Sequence, residues 1–181
     1  EPCSHHGKTP PCADAIIAAG VSRVVVANVD ENPLVDGEGI SRLRNAGIQV
    51  DTGLLAEDAH RLNRVFFHNV KTKQPYITLK VGMSLDGKIA THKNLSQWIT
   101  SPESRKDAHQ YRVSHTGILV GVGTILSDDP SLTAHLVENS PRNPVRIVLD
   151  HDLRTALSAK IINDKKAETI ICTTSNDKTK I

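Results

Sequence analysis

The run Arg23-Val24-Val25-Val26-Ala27-Asn28 restricts the fold more than any other stretch of the chain. It is β-branched at consecutive positions and bounded by Gly20 and by Asp30-Glu31-Asn32-Pro33, so it reads as a buried strand. Helical patterns flank it. From Cys12 the apolar positions Ala13, Ile16, Ile17 and Ala19 fall at helical spacing, and Gly20 is placed to cap that helix. Gly39 to Ala46 reads as a short helix closed by Gly47, ahead of the alternating strand that begins at Ile48. Leu55, Ala59, Leu62, Val65, Phe66 and Asn69 then keep a helical period to residue 69, and Lys71-Thr72-Lys73-Gln74-Pro75 is a polar linker ended by proline. A domain boundary is expected there, separating residues 1–73 from residues 74–181. The elements before it amount to half of a three-layer α/β domain.

The second part opens on Tyr76-Ile77-Thr78-Leu79-Lys80-Val81-Gly82-Met83, which reads as a strand. Ser101-Pro102-Glu103 is a helix start: serine caps, proline suits the first turn, and an acid there meets the positive end of the dipole. That helix is expected to reach about Ser114. Gly117 to Gly123 is a strand ending in glycines, Thr124-Ile125-Leu126 a short helical turn, and the runs starting at Val145 and Thr169 two further strands. Alternating strands and helices make this an α/β domain with a largely parallel sheet. Cys172 lies inside the last apolar run, where a buried structural thiol is expected.

Composition removes several classes of function. With 38% hydrophobic and 23% charged residues the chain is globular. A net charge of +2 and 3% aromatic residues argue against a nucleic-acid partner, which needs a basic face and stacking platforms. No apolar run reaches the roughly 18 residues of a membrane span, and no signal peptide opens the chain, so a cytoplasmic location without a membrane partner is expected. Three cysteines do not suggest a disulfide framework, and in a reducing compartment paired cysteines more often bind metal or do chemistry.

Two of those cysteines bracket Pro2-Cys3-Ser4-His5-His6-Gly7-Lys8-Thr9-Pro10-Pro11-Cys12. Cys12 opens a helix, where a thiolate is favoured electrostatically. A zinc deaminase needs three protein ligands, an open fourth position that acidifies a bound water, and a carboxylate that is not a ligand. The pair suits two of those ligands, although two unrelated buried cysteines account for the spacing equally simply. The whole string resembles the zinc loop of the bifunctional riboflavin-biosynthesis deaminase/reductase family, in which a long insert separates the cysteines. The resemblance implies that Cys3 and Cys12 are zinc ligands and that Lys8 meets a substrate phosphate. It puts His5 and His6 in a loop beside the substrate, unless they are simply exposed. By the same resemblance the third ligand and the catalytic Glu belong upstream of Glu1, leaving no catalytic residue of the deaminase in this chain.

The resemblance continues through Lys80 to Ala90, Ser96 to Ser101, Gly121-Val122-Gly123-Thr124 and Asp128 to Thr133, in the order and spacing of the family's reductase domain. That domain is similar to dihydrofolate reductase in fold. The chain is therefore expected to be the C-terminal half of a cytidine-deaminase-like three-layer domain followed by the first part of a dihydrofolate-reductase-like α/β domain. It begins at Glu1 without Met and stops at Ile181, as expected of a central fragment whose later acidic and glycine-rich segments lie further on.

Each motif also has a rationale of its own. Gly82 lets a flat ring approach the backbone, or is an ordinary strand-end glycine. Trp98 packs on a cofactor or in a core. Gly121 to Thr124 presents amides and a hydroxyl to a pyrophosphate, or simply ends a strand. Asp128 and Asp129 form a base pair of carboxylates or a turn before proline. Arg112 grips a phosphate or sits on the surface.

The family pattern implies that Gly82, Trp98, Thr124 and Asp128 contact NADPH, and that Ser96, Arg112 and Leu132 contact the substrate. His135 stands where an arginine is common; as a substrate contact it would carry a charge that depends on pH. The implied chemistry is zinc-dependent hydrolytic deamination of a 2,5-diamino-6-ribosylamino-pyrimidinone 5′-phosphate and NADPH-dependent reduction of its ribosyl side chain to ribityl. The partner is a small phosphorylated pyrimidine, and the sequence is compatible with a homo-oligomer. A zinc deaminase of nucleosides or RNA bases explains the cysteines but not residues 76–135. A non-catalytic structural zinc domain is the remaining alternative.

Overall fold

The structure is a computed structural model that describes residues 1–33 and 35–176; the chain end from Thr179 to Ile181 lies outside the described residues. It divides into two compact units, Glu1–Leu79 and Lys80–Ile181.

The first unit carries α1 (Cys12–Ala18), β1 (Arg23–Val26), α2 (Glu38–Asn45), β2 (Gln49–Thr52), α3 (Ala56–Leu62) and α4 (Arg64–Thr72). β1 and β2 pair in parallel, with Val24 opposite Val50 and Val25 opposite Asp51. Val24, Val26 and Val50 share one face and pack on Ala13 of α1 and on Ile40 and Leu43 of α2, so that face is the core. The other face is open: Val25 is exposed, and an Arg23–Asp51 ion pair of 2.6 Å lies on it. The β-branched run is thus buried on one side only, because two helices cover one face of a two-stranded sheet. Gly20 and Gly47 take the expected left-handed cap conformation (φ +67° and +82°).

The expected helix through residue 69 is broken at Asn63. Its side-chain amide donates to the Ala59 carbonyl oxygen at 3.0 Å while its own carbonyl starts α4 by accepting from the Phe67 amide at 3.1 Å. The backbone of Asn63, at φ −99° and ψ 18°, departs from helical values and separates α3 from α4.

The second unit carries α5 (Pro102–Ser114), β3 (Gly117–Gly121), α6 (Val122–Asp128), β4 (Val145–Leu149), α7 (Lys160–Asn163) and β5 (Thr169–Cys172). The three strands are parallel in the order β3-β4-β5. Ser101 caps α5 by accepting a hydrogen bond from the Ser104 amide at 3.2 Å, with Pro102 at the first position. The core joins Val122 and Ile125 of α6, Val148, Leu132, Ala159 and Ile161.

Two expectations fail here. Tyr76–Met83 forms no strand, and Ile77, Leu79, Val81 and Met83 are exposed. Cys172 is exposed as well, because Ile171 faces the core while Cys172 lies on the opposite, uncovered face of the sheet with Leu149. Among the described residues no helix is long and apolar enough to cross a membrane.

Candidate functional site

In the first unit, the cysteine loop brings its two sulfurs together. The Cys12 amide, in the first turn of α1, donates to Cys3 Sγ at 3.2 Å, and the Ala13 amide donates to the Cys3 carbonyl at 3.2 Å. The Cys12 amide and then the Cys12 thiol stabilise the Cys3 thiolate and lower its pKa. The same sulfur–sulfur hydrogen bond holds the Cys12 proton and raises its pKa. A half-buried and an exposed thiol joined through the Cys12 amide suit a thiophilic cation such as zinc, which would displace their protons. No third His, Cys, Asp or Glu joins them among the described residues. His5, His6 and Lys8 are exposed in the loop, which turns through a Gly7 amide to Thr9 carbonyl hydrogen bond.

In the second unit, three of the candidate substrate residues converge. Arg112, half-buried on α5, donates from Nη1 to the Thr133 carbonyl at 2.7 Å. Thr133 Oγ1 lies 3.0 Å from His135 Nδ1, and Leu132, in the core at φ +50°, starts the same turn. The His135 ring meets His109 of α5 edge-on at 4.6 Å between centroids, and His109 Nδ1 accepts from the Leu136 amide at 3.3 Å. The Ala134 amide donates to Asn143 Oδ1 at 3.0 Å. Residues 132–136 are therefore held to α5 from two sides, by Arg112 and by His109. His109 was not among the sequence candidates. Its spacing of three from Arg112, which puts both on one helix face, is the signal that points to it.

His109 is buried, and burial followed by the charges of Arg112 and His135 pushes its pKa from 6.5 down to about 4. Its Nδ1 must stay unprotonated to accept from Leu136, so protonation breaks the contact. Because the folded value lies below the ordinary one, protons favour the unfolded state. The stabilisation from neutral His109 is complete above about 6.5 and is lost as pH falls toward 4. His109→Gln, whose carbonyl oxygen can accept the same amide, is expected to flatten stability between pH 7 and 4, tested by thermal melts across that range. A parallel fall in the variant and the parent chain would refute the assignment.

Thr124 and Asp128 lie one turn apart on the exposed side of α6, which begins where β3 ends. Asp129 does not pair with Asp128: it caps α6 at φ +38° and accepts the Lys160 amide at 2.9 Å, linking α6 to α7. Gly82 lies in the irregular segment ahead of α5, where an added Cβ would meet only ordinary contacts with Lys80 and Thr100. Ser96 is exposed. Trp98 is 70% exposed, outside any core, with the Arg105 guanidinium 4.3 Å from its ring centroid. No hydrogen bond or ring contact joins Gly82, Ser96 or Trp98 to the Arg112 cluster among the described residues.

The family model described as RibD C-terminal domain matches residues 75–181. The chain is 53% identical to "Riboflavin biosynthesis protein RibD" of Aquifex aeolicus over 96% of its own length and 48% of that protein. It is 44% identical to the Escherichia coli protein of the same name, over 98% of the chain and 51% of that protein. Among solved structures, a diaminohydroxyphosphoribosylaminopyrimidine deaminase/5-amino-6-(5-phosphoribosylamino)uracil reductase from Thermotoga maritima superposes with a TM-score of 0.89 at 40% identity, over 98% of this chain and 50% of that one. A form of Acinetobacter baumannii RibD gives 0.86 at 38% identity, over 97% of this chain and 50% of that one. The chain spans about half the length of the curated relatives it matches.

Proposed function

The chain belongs to the RibD C-terminal domain family, and from that membership we propose a role in riboflavin biosynthesis, with residues 74–181 contributing to a reductase site and residues 1–73 to a zinc deaminase site. The substrate is a phosphorylated aminopyrimidine with a ribosyl side chain. The observation that carries the reductase reading is the convergence of Arg112, Leu132 and His135 on one turn within the residues the family model matches.

NADPH supplies the hydride that converts ribosyl to ribityl. The work of this chain is to bind and orient. Thr124 and Asp128 offer a hydroxyl and a carboxylate on the exposed side of α6 for the cofactor, with Gly82 and Trp98, in the irregular segment ahead of α5, as further contacts. Arg112 meets the substrate phosphate with its remaining guanidinium N–H groups while Nη1 keeps its bond to Thr133. His135 adds a ring N–H from the adjoining turn, and Ser96 a hydroxyl.

In the first unit, Cys3 and Cys12 provide two thiolates to a zinc ion, whose chemistry when bound is to activate water for hydrolytic loss of ammonia. Lys8, exposed in the same loop, meets the phosphate of that substrate.

The full-length gene product that contains this chain is expected to oxidise NADPH only in the presence of the phosphorylated pyrimidine, and to release ammonia in a separable step. Following the two products independently tests both halves. NADPH oxidation that ignores the substrate, or no oxidation with either the diamino or the deaminated pyrimidine, would sink the reductase reading.

A further inference from the structure

Glu1 does more than precede the cysteine loop. Its Oε1 accepts hydrogen bonds from the amides of Gly39 (2.9 Å) and Ile40 (3.2 Å), and its Oε2 from those of Asp30 (2.9 Å) and Gly37 (3.1 Å). Three of these donors belong to the start of α2, where unpaired amides and the positive end of the helix dipole favour a carboxylate. Four backbone donors on two oxygens fill the acceptor capacity of the group, so Glu1 is neither a ligand nor a base. One residue on, the Pro2 carbonyl lies so close to Gly39 that a methyl group there would overlap its oxygen. The next residue is Cys3, whose carbonyl and sulfur are held by the Ala13 and Cys12 amides of α1. Glu1-Pro2-Cys3 is thus a short strap from the first turn of α2 to the first turn of α1, with a proline of fixed φ in the middle.

We propose that Glu1 is a positioning residue for the Cys3 sulfur: anchored to α2, it sets where Cys3 stands relative to Cys12 and thereby how tightly the pair holds a thiophilic divalent cation. The inference rests on Cys3 and Cys12 being metal ligands. Groups that orient ligands without touching the metal typically govern affinity by about 10- to 100-fold.

The test is titration of the 181-residue chain with Cd²⁺, following the thiolate-to-metal charge-transfer band. Glu1→Gln turns an NH₂ group toward two amide donors and is expected to weaken Cd²⁺ binding by about tenfold or more. Gly39→Ala reaches the same strap from the other side. It improves helix propensity in α2, so a matching loss of affinity reports displacement of Pro2 and Cys3 rather than a weaker helix. Arg42→Ala, which removes the exposed 3.0 Å ion pair between α2 and Asp14 of α1, is expected to leave affinity unchanged. Far-UV circular dichroism checks folding, and if Glu1→Gln fails to fold, Gly39→Ala decides. Wild-type affinity in folded Glu1→Gln and Gly39→Ala would overturn the inference while leaving the ligand reading intact. One Cd²⁺ still bound by Cys3→Ser and Cys12→Ser would instead overturn the ligand reading, and the inference with it.

Discussion

Asp164→Ala is expected to destabilise the second unit by about 3–5 kcal/mol, the usual consequence of leaving a buried charge without its partner. Arg146 is 0% exposed on β4, and its two terminal nitrogens each lie 2.8 Å from an Asp164 oxygen in a fork-to-fork pair; Nη1 also donates to the Ile161 carbonyl at 3.0 Å. Those hydrogen bonds hold the Asp164 carboxyl below its usual pKa. Among the described residues Arg146 Nε has no partner, so once the carboxylate is removed the guanidinium keeps only the Ile161 carbonyl as acceptor. The paired replacement Arg146→Met with Asp164→Leu is expected to cost much less than the single change, since it removes charge and counter-charge together. Amide hydrogen exchange along β3, β4 and β5 measures this unit specifically. A double variant as unstable as Asp164→Ala would show that packing around the pair, not the orphaned charge, sets the penalty.

Arg112→Ala is expected to weaken binding of the phosphorylated substrate by roughly 10- to 10²-fold, the worth of a charge-assisted contact to an anion at about 1.5–3 kcal/mol. NADPH affinity should change by no more than about twofold, because Thr124 and Asp128 stand on a different helix. Arg112→Lys should recover only part of the loss: an ammonium retains the charge but cannot hold the Thr133 carbonyl and a phosphate in one planar fork. Isothermal titration with each ligand separates the two sites. A larger effect on NADPH than on the substrate would move Arg112 to the cofactor side.

Features governed by neighbours in sequence were legible before the structure. Gly20 and Gly47 marked helix ends because a left-handed residue is needed there, and Ser101-Pro102-Glu103 marked a start because serine, proline and an acid each suit that turn. The β-branched runs became β1, β3, β4 and β5, and the spacing of strands with helices announced parallel pairing.

What could not be read depends on partners distant in the chain. Tyr76 to Met83 alternates like a strand, yet alternation says nothing about which edge it would join. Cys172 looked buried because its neighbours are apolar, and only its place on the sheet face turned away from the core, opposite the equally exposed Leu149, exposes it. An arginine inside a strand gives no hint that Asp164 will reach it, and Glu1 gives none that amides from residues 30–40 surround it. The candidate site was read in the same proportion. Arg112, Leu132 and His135 entered as candidates through the family resemblance, whereas Thr133 and His109 contact them across a long stretch of chain, a juxtaposition for which only the spacing of His109 from Arg112 gave a signal.

The parallel register has a consequence in time. Each strand pairing joins residues roughly 25 positions apart, and no hairpin occurs among the described residues to seed a sheet locally. Neither sheet can begin until a crossover has closed around it, so helix α5, which carries its own Ser101 cap, is expected to acquire structure ahead of any β-ladder.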